Sequence, residues 1–365
     1  MSDARIHAFD HLRALAMLLG VAFHVGLAYS PLMQSFWLTA DRRTWVGFDV
    51  VLWFLHLLRM PLFFLVAGFF TAWLDERRGM GGLARQRVRR ILVPLVVFWP
   101  LTHVAMTRMT VLAAREVEHP SQVLSFLREW LLRDDAPMTL PSLGHLWFLY
   151  YLLLFSVLFW VGRCLDFGAV LRRWMALGAP LVAATLPFLI LPGFALTSAP
   201  HPAPESYFPQ LWALLVYGPF FALGVGLHGR LDFFEPLRPW LLPATFVCLG
   251  CYALFYHSLG SGQAEAPWAT AALQAVIAAW GTLCCLMLGL RLLARPSSKL
   301  RFVGASAYWT YLAHLPLVFA IQYVLLDRDW PLIVKFTLTT LVTLALCFAS
   351  YALLVRCTPL RRFVG

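Results

Sequence analysis

The chain has 365 residues, 61% of them hydrophobic and 13% charged, with a mean hydropathy of +0.73. Soluble domains carry roughly half apolar and a quarter charged residues, so this composition excludes a water-soluble fold and demands lipid as the solvent. The formal net charge of +11 does not mark a nucleic-acid partner, because the basic residues border apolar segments and form no patch interleaved with aromatics.

A helix needs about 20 apolar residues to cross a bilayer. That criterion gives ten spans in chain order, at residues 12–30, 46–74, 91–111, 144–162, 174–192, 208–227, 239–257, 268–290, 303–326 and 331–355. The expected architecture is therefore an all-α, multi-pass membrane protein of about ten transmembrane helices, with residues 1–365 forming a single membrane domain. An even count puts both termini on one side, and charge selects it. Arg5 and Arg13, then Arg77, Arg78, Arg85, Arg87, Arg89 and Arg90, then Arg291, Arg295, Lys299 and Arg301 collect together if both termini are cytoplasmic. The opposite stretches 193–207 and 258–267 contain no Lys or Arg, as the positive-inside rule requires of outside loops.

The first span carries charge that a cleaved leader would not, with Asp10, Arg13 and His24 arguing for a retained helix. Arg13 and His24 stand eleven positions apart, which at ~100° and 1.5 Å per residue leaves them ~20° apart in azimuth and ~16 Å apart along the axis. Asp10 lies one turn before Arg13 and can hold its guanidinium through an i,i+3 pair. One helix face thus has a cationic cytoplasmic end and an imidazole well inside the membrane. A ligand with a phosphate-bearing head at Arg13 and a long thin tail reaching His24 fits that spacing, and coenzyme A has this shape.

Ionisable groups within spans are costly unless paired or hydrated, so each is a functional candidate. Arg59 in the second span, His103 in the third and His314 in the ninth are expected at a depth similar to that of His24. Pro61 sits beside Arg59, and a proline at that position should kink the helix and free backbone carbonyls, tolerable only against protein or a water-filled cavity. The cluster Arg85-Gln86-Arg87-Val88-Arg89-Arg90 opens the third span as a topology signal whose guanidiniums can also bind phosphate at the cytoplasmic mouth. The connection 112–143 is the long one on the outside, and its segment 121–132 has helical apolar spacing suited to the membrane interface. The Cys248-Leu249-Gly250-Cys251 pattern lies in an apolar span with no second pair nearby and reads as packing.

These residues resemble the acyltransferase-3 family of integral membrane O-acyltransferases. Phe9-Asp10-His11-Leu12-Arg13-Ala14-Leu15-Ala16 is similar to the family's opening, and Arg13 with His24 matches its Arg-x10-His pattern. The stretch from Met60 to Phe69 is similar to its second helix, and Arg87-Val88-Arg89-Arg90 to its Arg-x-x-Arg motif. Ser306-Ala307-Tyr308-Trp309-Thr310-Tyr311-Leu312-Ala313-His314 resembles a late Ser-Tyr-x-x-Tyr-Leu-x-His segment, here with Ala307 between the serine and the first tyrosine. Within the family, His56-Leu57-Leu58-Arg59-Met60-Pro61 and Gly144-His145-Leu146-Trp147-Phe148-Leu149 look most like a branch that succinylates osmoregulated periplasmic glucans.

The resemblance implies an acyltransferase of the bacterial inner membrane. Its donor is succinyl-coenzyme A or another acyl-coenzyme A bound from the cytoplasm, and its acceptor is a glycan hydroxyl on the periplasmic side. His24 is the essential catalytic residue in this picture. Arg13, Arg87 and Arg90 bind the donor, Asp10, Arg59 and His314 support the site or the substrate, and no metal is involved. A polysaccharide or small-molecule transporter is the competing expectation, since it also needs buried charge and a proline-broken helix. Transporters pair such features in two halves, whereas here they concentrate in the first three spans.

Overall fold

The computed structural model describes residues 3–132, 142–260 and 267–364. Parts of the 112–143 connection and of the stretch 258–267 lie outside them. Every regular element among the described residues is helical: α1 (Asp3–Gly26), α2 (Val46–Arg87), α3 (Val93–Glu116), α4 (Gln122–Leu131), α5 (Trp147–Cys164), α6 (Gly168–Ala176), α7 (Ala179–Ala195), α8 (Leu211–Gly226), α9 (Leu241–Gly260), α10 (Pro267–Leu292), α11 (Ser298–Leu326), α12 (Leu332–Ser350) and the short α13 (Arg361–Val364). Seven stretches of these residues are long and apolar enough to cross a membrane, the longest running for 71 residues from Val46 to Glu116. Helices α7 and α8 are equally apolar but only 17 and 16 residues long. The protein is an all-helical integral membrane protein.

Helix boundaries depart from the hydropathy reading where glycine and proline intervene. The span expected at 174–192 is divided: its first residues belong to α6, Gly178 turns with φ +83°, and α7 starts at Ala179 with Pro180 in its first turn. An apolar count is blind to such a turn, since glycine alone adopts this φ without a Cβ penalty. The second helix runs well past residue 74, and its backbone leaves helical dihedrals at Gly79 (φ 63°, ψ 177°) and not at Pro61. Ahead of α3, Val88–Leu92 form a π-turn that carries Arg89 and Arg90.

The chain forms two compact units. The first comprises Met1–Ala16, His56–Leu92 and Trp147–Arg301. Within it α7 packs on α8 and α10, and α9 packs on α10. Small residues set the closest approaches, as they do where lipid removes the hydrophobic drive between helices. A Cβ added to Gly68 would lie 2.0 Å from Phe221 O, and one added to Gly224 would lie 1.9 Å from Leu65 O, so α2 and α8 touch backbone to backbone. Gly281 and Gly289 of α10 instead receive the side chains of Leu58 and Leu12, whose Cδ2 atoms would each lie 2.4 Å from an added Cβ.

The second unit comprises Met17–Leu55, Val93–Leu146 and Phe302–Gly365. Its apolar core gathers Val21, Val25, Tyr29, Phe48, Leu52, Ala114, Val318 and Phe319. Buried polar groups here need internal partners, and several pair across the unit. Lys335 Nζ meets Asp41 Oδ2 at 2.5 Å with both side chains buried. Gln322 donates to Val25 O at 2.9 Å and accepts from Thr39 at 2.6 Å, while Ser30 donates to Asp49. Ser121 caps α4 by accepting from Leu124 N, and Arg128 of that helix donates to the carbonyls of Ala114 and Val117, closing the end of α3.

Candidate active site

Helix α11 places Thr310, Tyr311 and His314 one turn apart in the second unit. His314 Nδ1 lies 3.0 Å from Thr310 O and 2.8 Å from Tyr311 O. Carbonyl oxygens only accept, so Nδ1 carries the hydrogen, and in the neutral ring Nε2 holds a lone pair. That Nε2 is 3.0 Å from His24 Nδ1, which must therefore be the donor. Neutral His24 is left with its own lone pair on Nε2, the tautomer a general base requires. Trp37 lies over the His24 ring, nearly parallel at 6.4 Å between centroids, and is itself braced edge-on by Phe319 at 5.3 Å.

A third imidazole joins this cluster. His145 precedes α5 in the short turn Gly144–Leu146, reached through Gly144 with φ +50°. Its ring stands edge-on to His314 at 5.5 Å, and its carbonyl accepts from Tyr311 OH at 2.6 Å. Pro316 lacks the N–H that would normally bond Leu312 O, and the His145 ring lies beside that carbonyl. His145 is 7% exposed, and its Nε2 makes no hydrogen bond. Ser306, which the sequence set among the motif residues, donates to Val303 O at 2.9 Å within its own helix. His103 stacks on Trp99 one turn away at 5.9 Å and is not brought to His24. Hydropathy depth alone suggested otherwise, because depth carries no information about which way a helix face turns.

His24 itself sits in the last turn of α1, not at mid-helix, because that helix ends at Gly26. A Cβ there would meet Leu52 at 3.0 Å, so the glycine lets the helix end close against α2. Arg13 shares this unbroken α1 with His24, and its Nη2 lies 3.3 Å from Asp10 Oδ1, with both side chains about two-fifths exposed. Such an exposed pair orients a side chain more than it stabilises a fold.

Within the first unit, Arg87 donates to Thr71 Oγ1 at 2.5 Å, and Thr71 in turn donates to Ala67 O at 2.7 Å. Arg90 is exposed on the π-turn. Arg59 is 9% exposed on α2, in electrostatic reach of His56 one turn before it and of Tyr217 on α8. His56 Nε2 donates to His201 O at 2.9 Å. Among the described residues no three His, Cys, Asp or Glu side chains form a group able to hold a metal ion.

Sequence comparison identifies the family. The family profile described as an acyltransferase domain, acyltransferase 3, matches residues 6–352, and the chain belongs to that family of membrane acyltransferases. Its curated relatives include glucans biosynthesis protein C of Escherichia coli, 24% identical over 352 residues covering 86% of this chain and 82% of the relative. The protein of that name from Salmonella paratyphi B is 26% identical over 334 residues, with the same coverage of both chains. No solved structure matches.

Proposed function

We propose that the protein transfers an acyl group, succinyl in the first place, from acyl-coenzyme A on the cytoplasmic side to a hydroxyl of a periplasmic glucan, with residues 1–365 acting as one catalytic membrane domain in the bacterial inner membrane. The observation that carries this reading is the one-way hydrogen-bond chain from the Thr310 and Tyr311 carbonyls through His314 to His24. Family membership supplies the acyl transfer, and the names of the relatives supply the glucan.

His24 Nε2 accepts the proton of the acceptor hydroxyl as its oxygen attacks the thioester carbonyl. The tetrahedral intermediate collapses with cleavage of the carbon–sulfur bond, and the departing thiolate takes that proton back from His24. The products are the glycan ester and free coenzyme A, with no covalent acyl-enzyme. His314 stabilises the imidazolium by offering a lone pair to Nδ1–H, as an acceptor does for histidine bases elsewhere. Arg13, steadied by Asp10, and Arg87 and Arg90 bind the phosphates of the donor. Arg59 pairs with the terminal carboxylate of a succinyl group.

The topology that goes with this activity has ten crossings and both termini in the cytoplasm. Counting the 71-residue stretch twice and adding the short α7 and α8 brings the seven long candidates to that number. Helix α4 then lies along the outer membrane face, with Phe126 exposed to the interface. Incubating the purified protein with a panel of acyl-coenzyme A donors and a glucan tests the proposal. Thioester loss and ester formation should both depend on His24, and His24→Ala should abolish them while leaving a folded, inserted protein. Wild-type turnover by that variant would remove the mechanism.

A further inference from the structure

Within the first unit, the N-terminal turns of α1 are held from two sides. His11 is 2% exposed, and its Nδ1 lies 2.8 Å from Leu293 O, across 282 residues of sequence. A carbonyl only accepts, so Nδ1 is the donor. Leu293 follows the last residue of α10, and its own N–H bonds back to Gly289 O at 2.9 Å. Carbonyls at a helix C-terminus have no partner within the helix, and the His11 imidazole supplies one. Leu12 lies against Gly289, one turn earlier on α10, where an added Cβ would meet its side-chain carbons within 2.6 Å. Phe9 fastens the other side of α1. It is fully buried, and its ring stacks on Phe69 of α2 at 4.3 Å between centroids, with Phe70 edge-on at 6.2 Å.

These contacts fix the rotation of α1 about its own axis. His11 and Arg13 are two residues apart, which at ~100° per residue leaves them ~160° apart in azimuth, on nearly opposite faces. Phe9 precedes Arg13 by four residues, a step of ~40° in azimuth and ~6 Å along the axis. Docking the His11 face on α10 therefore turns Arg13 to the side where Phe9 meets α2. Phe69 lies two residues before Thr71, which holds Arg87. The Asp10–Arg13 pair cannot set this rotation, because both partners lie on α1 and turn together. We infer that His11 is a positioning residue for the acyl donor, its bond to Leu293 O setting the azimuth at which Arg13 meets the donor's phosphates on the side of Arg87. This inference rests on the donor reading above and adds to it the residue that aims the guanidinium.

Calorimetric titration of coenzyme A into the purified full-length protein tests it. His11→Phe keeps a flat ring but has no donor, and it should weaken coenzyme A binding by roughly tenfold, the scale of one charge-assisted phosphate contact. His11→Asn, whose amide nitrogen takes the place of Nδ1, should restore most of the affinity. Arg13→Ala should show the full loss, and adding His11→Phe to it should weaken binding no further, because a residue that acts through Arg13 then has nothing to aim. Gly289→Leu leaves the imidazole intact but pushes Leu12 off α10. It should reproduce the His11→Phe defect, and it carries the test if His11→Phe fails to fold. Wild-type affinity in either of these variants would overturn the positioning role. A His11→Asn protein as weak as His11→Phe would overturn it too, as would losses that multiply in the double variant, which would leave His11 as a cap on α10. An Arg13→Ala protein that binds coenzyme A as tightly as the wild type would instead sink the donor reading itself, and the positioning with it.

Discussion

His314 offers Nε2 to His24 Nδ1 across 3.0 Å while its own Nδ1 faces two backbone carbonyls. The two imidazoles share one proton in a fixed direction, because the carbonyls cannot donate. This ties the tautomer of His24 to the backbone of a helix 290 residues away in sequence.

Removing that tie should leave a base in the wrong form part of the time. His314→Phe is expected to lower kcat by roughly two orders of magnitude, the scale of general-base contributions, with little change in KM for the donor. His314→Gln, whose amide oxygen can accept from His24, should recover part of the loss. The measurement is the pH profile of kcat for the three proteins. Equal profiles for His314→Phe and the wild type would reduce His314 to a packing residue.

Part of this arrangement is legible in the sequence, and the reasons for the gaps are physical. Apolar runs expose membrane helices because lipid cannot solvate a polar backbone or charge, and Arg13, His24, Arg59 and His314 stood out against that background. The Asp10–Arg13 contact follows from helical spacing alone. Spacing within one helix does not encode rotation against another, so depth alone groups His103 with His314, whereas the structure stacks it on Trp99. His145 was visible only as part of a resembling motif, since its role depends on the Leu312 carbonyl that Pro316 leaves open. Lys335 and Asp41 are 294 residues apart, and no local pattern announces such a pair. The one signal was a lysine four residues into the last apolar run, where a charge needs a partner.

The Arg87–Thr71 contact converts the basic cluster from a topology signal into a testable donor site. Neutralising Arg13, Arg87 or Arg90 should raise KM for acyl-coenzyme A by roughly tenfold or more each, the scale of one charge-assisted hydrogen bond. Thr71→Val removes no charge but releases Arg87, and should reproduce part of the Arg87→Ala defect. Donors lacking the 3′-phosphate should show a smaller defect in whichever variant has lost the group that binds it. Equal losses with every donor, and none in Thr71→Val, would return these arginines to a purely topological role.

The Lys335–Asp41 pair should govern stability more than catalysis. Breaking a buried ion pair from one side strands a charge and costs about 3–5 kcal/mol, whereas replacing both partners with neutral groups costs far less. Lys335→Met and Asp41→Asn are each expected to lower the unfolding temperature in detergent clearly, and the double variant to be milder than the two effects added. Thermal unfolding of the four proteins closes the cycle. Additive losses would mean that the two side chains do not act as a pair.

Arg59 provides the sharpest test of donor identity. A succinyl group brings a carboxylate into the membrane domain, where an unpaired anion is costly and a guanidinium can meet both oxygens at once. Arg59 is a nearly buried cation on α2, and a long basic side chain at a helix end would instead have run out to the interface. Arg59→Gln keeps hydrogen-bonding capacity but removes the charge, so it should cut kcat/KM for succinyl-coenzyme A by at least tenfold while changing any acetyl transfer far less. Arg59→Lys should fall between the two, retaining charge but losing the fork. The ratio of the two donors, measured on one preparation of each variant, cancels differences in folded fraction. A wild type that acetylates efficiently and ignores succinyl donors would refute the succinyl assignment, and Arg59 would then be a structural residue or a contact to the acceptor.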